Sequence, residues 1–237
     1  MSLSLGPDLP EVSRAAVFGL AKSGLATIRA LLSRDVSVVA TDAAPAEKLG
    51  AFPADQRLEL VLGGHPTSLL SGVDLCVVSP GVPMSLPVLD VARASGIPVI
   101  AEVELASRLV PGLVVGITGT NGKSTTTALA AALLRDAGRE AVACGNFGTP
   151  WIHYAADGDS LTGELPPPSR VWVVELSSFQ LEGLRRFAPD VAVHLNLTPD
   201  HLDRYRSVDD YGAAKARIFE NQGEAQVAVL NADDPLV

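Results

Sequence analysis

The sequence predicts an α/β fold made of two parallel-sheet domains. Three observations point there. Short apolar runs alternate with stretches of helical period along the chain, two glycine-rich turns each join such a strand to such a helix, and Pro111-Gly112 interrupts the pattern near its middle. A chain of 237 residues, 47% apolar and 19% charged, has material for two compact domains, expected over 1–110 and 111–237.

Charge and composition exclude several classes. A net charge of -9 argues against a nucleic acid or an anionic membrane as partner, so any phosphate must be held by local geometry. Cys76 and Cys144 lie inside apolar runs and read as buried, reduced thiols. No charged-then-apolar leader opens the chain, and no apolar stretch is long enough to span a bilayer. A cytoplasmic monomer is expected.

Residues 1–13 carry two prolines and no periodicity and read as a loose lead-in. Ala15 to Leu20 is the first expected strand. Gly19-Leu20-Ala21-Lys22-Ser23-Gly24 turns it into a helix to about Ser33, with Leu25, Ile28, Leu31 and Leu32 on one face, and a second strand, Val36 to Ala40, leads to Asp42. This opening is Rossmann-like. The middle position of the G-x-G-x-x-G pattern is Ala21, however, whose methyl restricts a pyrophosphate's approach. An NAD site, with Asp42 receiving a ribose hydroxyl, and a plain turn closed by small residues both fit.

Further strands are expected at Leu58 to Val61, Val73 to Ser79 and Ile97 to Ala101. Ser79-Pro80-Gly81-Val82-Pro83 sets a rigid turn at a strand's carboxyl end, where open α/β sheets receive ligands. Ser85 reads as the cap of a helix with Leu86, Leu89 and Val91 turned inward. Glu102 to Leu109 reads as another helix.

The second glycine turn is the most informative stretch. Leu113 to Ile117 is a buried strand by pattern, Ser124 to Leu134 a helix, and between them lies Gly119-Thr120-Asn121-Gly122-Lys123-Ser124-Thr125. Glycines let main-chain amides approach an anion, and a helix start adds unpaired amides and a positive dipole end. Lys123 would reach the outer phosphates of a bound polyphosphate, while Ser124 or Thr125 would offer a hydroxyl to magnesium. Ile117 stands where the general P-loop pattern has its first glycine, and a plain strand-to-helix turn with a surface lysine is the alternative.

Ala141 to Ala143 is a brief strand ending in Cys144-Gly145-Asn146-Phe147-Gly148, where Asn146 reads by itself as a residue that tolerates a left-handed backbone. Residues 157–169 are polar, end in three prolines and read as a mobile loop without chemistry. Val171 to Glu175 is an apolar strand ending in a carboxylate that, beside a phosphate loop, suits magnesium. Val191 to Asn196 is another strand. Thr198 then looks like a cap with Pro199 at the first helical position, placing His201 between Asp200 and Asp203 as a metal or phosphate contact. Ser207 and Asp210 start a helix to about Asn221 that carries Lys215, by periodicity an ordinary exposed lysine, before a strand from Gln226 to Leu230.

Three strings, TGTNGKST at 118–125, ELSSFQLE at 175–182 and NLTPDHLDRY at 196–205, together with Tyr211-Gly212-Ala213-Ala214-Lys215, resemble the Mur ligases. ELSSFQLE matches the branch that adds D-glutamate to UDP-N-acetylmuramoyl-L-alanine. The resemblance runs from about Val17 to the end and implies an ATP-dependent amide ligase of peptidoglycan synthesis working through an acyl phosphate. It implies ATP held by Gly119 to Thr125 and two magnesium ions held by Ser124, Thr125, Glu175, His201 and a carbamylated Lys215. It implies Lys22 and Ser23 near a UDP diphosphate, the Asp42 region near uracil, Gly81 in the same cleft, and Asn146 and Ser177 near the muramoyl-alanine part. Ala43 and Ala44 stand where many relatives have a hydroxyl and a basic side chain. Relatives continue into a third domain, so the resemblance also implies an incomplete P-loop ATPase-type second domain and poor ligation by this chain alone. A nucleotide-binding regulatory or scaffold module without amide synthesis is the alternative function.

Overall fold

The computed structural model describes residues 2–156 and 166–237, and the chain divides into two compact units. The first unit runs to Val110 and also takes in the chain from Ile152, while the second runs from Pro111 to Trp151 and resumes at Pro166. The expected loop at 157–169 lies outside the described residues as far as 165.

In the first unit, β1 (Arg14–Phe18), α1 (Lys22–Leu32), β2 (Ser37–Asp42), β3 (Leu58–Leu62), β4 (Leu75–Val78), α2 (Pro87–Ala94), β5 (Val99–Ala101) and α3 (Glu102–Leu109) follow in order. All strand pairs are parallel, in the order β3-β2-β1-β4-β5. Strands buried on both faces must be apolar, and β4 is so throughout while β1 is so from Ala15 to Phe18, after the partly buried Arg14. Ala16, Phe18, Val39, Cys76, Val78, Leu89 and Ala92 pack into one core cluster. The order reverses at β1, so a ligand crevice opens beyond the carboxyl ends of β1 and β4.

The second unit contains β6 (Leu113–Thr118), α4 (Lys123–Asp136), β7 (Ala141–Gly145), β8 (Val171–Glu175), the single turn α5 (Ser178–Leu181), β9 (Val191–His194), α6 (Val208–Ala216) and β10 (Val227–Leu230). Its sheet is also parallel, in the order β10-β9-β6-β8-β7. Ile117, Ala131, Ala141, Val171 and Val173 form its core cluster. With β6 central, the loop after it is flanked by the ends of β8 and β9.

Four expectations are corrected. The lead-in is anchored rather than loose: Leu3 bridges Val12, Leu5, Leu9 and Val12 are buried, and Arg108 holds the Leu5 carbonyl and Asp8. Ser85 does not cap α2, because Leu86 occupies the cap position and Pro87 the first turn. Val91 is exposed at 42%, the inward face being Val88, Leu89 and Ala92. No helix starts at Thr198; its N–H and hydroxyl bond to Thr120 and Asn121 instead, and His201 adopts a left-handed φ of 54° that helices exclude. No helix among the described residues is long and apolar enough to cross a membrane.

Candidate functional site

The loop between β6 and α4 is built from two left-handed or extended glycines, Gly119 at φ 152° and Gly122 at φ 80°, the latter capping α4. The first intrahelical bond is Thr126 N–H to the Gly122 carbonyl at 2.9 Å, so the amides of residues 122–125 precede the ladder and face outward as donors. The preceding amides are already held. Asn196 Oδ1 accepts from Thr120 N at 3.1 Å and Asn121 N at 2.8 Å, and Asn196 Nδ2 donates to the Asn121 carbonyl at 3.0 Å. The loop's shape is therefore set by the chain beyond β9 before any ligand arrives.

Lys123 Nζ folds back onto the carbonyls of Gly119 at 3.0 Å and Thr120 at 2.8 Å. Lys215 Nζ reaches the same Gly119 carbonyl at 2.8 Å from α6. Lys215 is 1% exposed, correcting its reading as a surface residue. Burial pushes its ammonium down to about 7, the nearby Lys123 charge adds to this, and Asp200 opposes it. The two amines thus share one carbonyl, which brings them within reach of each other.

Glu175 ends β8 opposite Ile117 of β6 and Gly145 of β7, and is 3% exposed. Its Oε2 accepts from Ser124 Oγ at 2.6 Å and its Oε1 from Asn146 Nδ2 at 2.9 Å. The left-handed backbone falls on Gly145, at φ 106°, leaving Asn146 free to aim its amide at the carboxylate. Ser124 and Glu175 thus form an adjacent pair of hard oxygen donors. Thr125 is exposed in the first turn of α4. Ser177 is committed to the capping box of α5, accepting from Gln180 N and donating to Gln180 Oε1 at 3.0 Å.

The His201 ring packs 4.9 Å from Phe179 and 5.9 Å from Tyr211, and Tyr211 in turn lies 4.4 Å from Lys215 Nζ. Tyr211 therefore bridges the histidine and the buried lysine. Tyr205 stacks on Phe179 and donates to Glu182 at 2.6 Å, holding the 201–205 turn against α5. Among the described residues no three His, Cys, Asp or Glu side chains gather into a metal-binding group, so Glu175 and His201 are not joined through a third such side chain.

In the first unit, Lys22 and Ser23 open α1. Asp42 is engaged by main chain, Oδ2 accepting from Leu20 N and Oδ1 from Ala44 N, both at 2.8 Å. Ser79 Oγ donates to the Gly19 carbonyl at 2.9 Å. A methyl at Gly24 would lie 1.9 Å from that same carbonyl, so only glycine fits. Gly81 has open space around it.

Sequence reasoning missed Asn196, Phe179 and Tyr211. The i, i+4 spacing of Tyr211 and Lys215 was the available signal for the last.

Residues 117–237 match the model of the Mur ligase middle domain, and residues 13–101 that of the Mur ligase MurD-like N-terminal domain. The chain is 50% identical over 95% of its length to the UDP-N-acetylmuramoylalanine--D-glutamate ligase of Anaeromyxobacter dehalogenans, and 47% identical over 93% to that of Myxococcus xanthus. It covers 48% of each, so the chain spans about half the length of the curated relatives it matches. A solved UDP-N-acetylmuramate:L-alanyl-gamma-D-glutamyl-meso-diaminopimelate ligase from Neisseria meningitides shares the fold, with a TM-score of 0.57, 19% identity, and coverage of 95% of this chain and 73% of that one.

Proposed function

Since the chain belongs to the Mur ligase family, we propose that it carries the nucleotide-handling part of a ligase that adds D-glutamate to UDP-N-acetylmuramoyl-L-alanine in the cytoplasmic stage of peptidoglycan synthesis. Mur ligases are ATP-dependent. The observation that carries the reading is the convergence of Lys123 and Lys215 on the Gly119 carbonyl beside the Ser124–Glu175 pair. The identity to two relatives named as D-glutamate ligases supports this choice of substrate.

A carboxylate does not accept an amine until it is activated, and activation by ATP brings two anions together. Cations at the meeting point offset that repulsion. Opposite unit charges 4 Å apart attract by roughly 4 kcal/mol at an effective dielectric of about 20. In this reading the Lys123 amine leaves the Gly119 and Thr120 carbonyls to follow the transferring phosphoryl group, while the amides of residues 122–125 take the phosphate oxygens. No protein nucleophile is required: the substrate carboxylate attacks the terminal phosphorus of ATP and releases ADP, and the D-glutamate amine then attacks the acyl carbon, losing a proton and expelling phosphate.

Magnesium fits the donor set, since Ser124 Oγ and Glu175 Oε2 are hard oxygens already 2.6 Å apart. When bound it would neutralise phosphate charge. Asn146 keeps the Glu175 carboxylate oriented meanwhile. A second ion on His201 and a carbamate of Lys215 is supported by Tyr211 linking the two side chains. A buried amine that sheds its proton near pH 7 is also nucleophilic toward carbon dioxide, as an ammonium is not.

Calorimetric titration of the chain with ATP–magnesium and, separately, with UDP-N-acetylmuramoyl-L-alanine tests the reading. Both are expected to bind, and Glu175→Gln is expected to weaken the magnesium dependence of ATP binding while sparing the other ligand. ATP binding that is indifferent to Lys123→Met and to magnesium would overturn it.

A further inference from the structure

Beyond the carboxyl ends of β1 and β2, one side chain that the proposed mechanism does not use has its chemistry dictated by its neighbours. Thr41, fully buried at the end of β2, has its hydroxyl 3.0 Å from the Gly64 carbonyl and 2.9 Å from His65 Nδ1. A carbonyl only accepts, so the single hydroxyl proton goes to Gly64, and Thr41 Oγ1 must accept from His65. His65 therefore carries its proton on Nδ1, leaving Nε2 as a bare acceptor. The imidazole is tilted against Phe18 at 5.7 Å, which fixes its plane as well as its tautomer. Burial lowers its affinity for a second proton, against the pull of Asp42.

Nε2 has no partner among the described residues, and the ring is only half-buried. Gly63 and Gly64, at φ 80° and 153°, bend the chain sharply after β3 and bring the ring back over the ends of β1 and β2. In sheets of this topology the nucleoside lies there, and the acid ending β2 ordinarily accepts from it. Here each Asp42 oxygen already accepts one main-chain amide, which fixes the carboxylate and takes half of its lone pairs.

We propose that His65 Nε2 is a specificity-determining acceptor for the imide N–H of a uracil base, held ready by Thr41. This rests on the reading of the first unit as a uridine-diphosphate site. A base bearing a ring N–H donor is retained, and one alkylated at that nitrogen leaves the buried acceptor without its bond.

The test is calorimetric titration of the whole chain, and of its His65→Phe and Thr41→Val forms, with UDP and with UDP methylated at uracil N3. The unsubstituted chain is expected to prefer UDP by about tenfold, the size of one neutral hydrogen bond. His65→Phe keeps the ring's packing and is expected to bind UDP about tenfold more weakly and to lose the preference; Thr41→Val is expected to lie between. An unchanged preference in His65→Phe would overturn the assignment while leaving the uridine-diphosphate reading intact. A chain that binds no UDP at all would overturn both. Nitrogen-15 correlation spectra of the imidazole supply an independent readout: the Nδ1–H tautomer is expected, and an Nε2–H tautomer would also overturn the proposal.

Discussion

Gly19 and Gly119 occupy the same topological position, each following the central strand of a five-stranded parallel sheet, yet their carbonyls meet different partners. The Gly19 carbonyl takes the neutral hydroxyl of Ser79, and the Gly24 backbone packs so closely that no methyl could be inserted. The Gly119 carbonyl takes two lysine amines. The first turn is closed by what surrounds it, whereas the second is held open by groups that an anion can draw away. Glycine spacing alone does not separate a turn closed by its own surroundings from one lined by lysine amines. The side chains delivered by neighbouring strands and helices do.

Gly24→Ala is the most severe way to probe the closed turn. A side-chain carbon 1.9 Å from a main-chain oxygen forces backbone movement, and a loss of about 3 kcal/mol or more is expected in chemical denaturation, concentrated in the first unit. Equal destabilisation of both units would break the comparison. Lys123→Met probes the open turn, with ATP affinity expected to fall roughly 100-fold, about 2.7 kcal/mol, and UDP affinity to stay put.

The buried amine supplies a pH dependence. The folded-state pKa of Lys215 is about 7, below its ordinary value of 10.5, so the folded chain binds fewer protons than the unfolded chain between those limits. Its contribution to stability therefore rises with pH across that window, by at most about 1.4 kcal/mol per pH unit. In buffers free of carbon dioxide, the difference between the native chain and Lys215→Met should show that slope and flatten below about pH 7. The smallest effect is Ser79→Ala, which removes one hydrogen bond from the closed turn. About 1 kcal/mol of stability should be lost, with ATP binding unaffected.

Much of the architecture was legible because burial on both faces demands continuous apolar runs, and strands such as Val171–Glu175 and the helix Glu102–Leu109 have the bounds their patterns predict. The strand after Ala15 stops at Phe18, the one after Val73 at Val78 and the one after Val191 at His194, each one to two residues early. After Val78 and His194 the chain turns to deliver Ser79 and Asn196, and apolar pattern carries no record of that. Lys215 illustrates the same limit. Its neighbours in sequence are those of a solvent-facing helix position, and only the Gly119 carbonyl, 96 residues away, and the Tyr211 ring one turn back explain its burial. Asn196 escaped notice for a related reason: its amide serves the main chain of a distant loop, a task that leaves no spacing motif. Thr198 shows the converse, a persuasive local cap signal overridden by bonds to Thr120 and Asn121.

The visit that residues 152–156 pay to the first unit has a practical outcome for anyone dissecting the molecule. Ile152 and Ala155 are buried, and Arg34 at the end of α1 donates to the Ala155 carbonyl at 2.7 Å. A single cut after Val110 would leave the amino-terminal piece missing a patch of its own wrapping, supplied from more than forty positions downstream. Excised alone, that piece is expected to melt earlier than it does in the intact chain. Adding back a peptide spanning the missing patch should recover part of the difference, so the two units are interleaved along the polypeptide rather than strung one after the other.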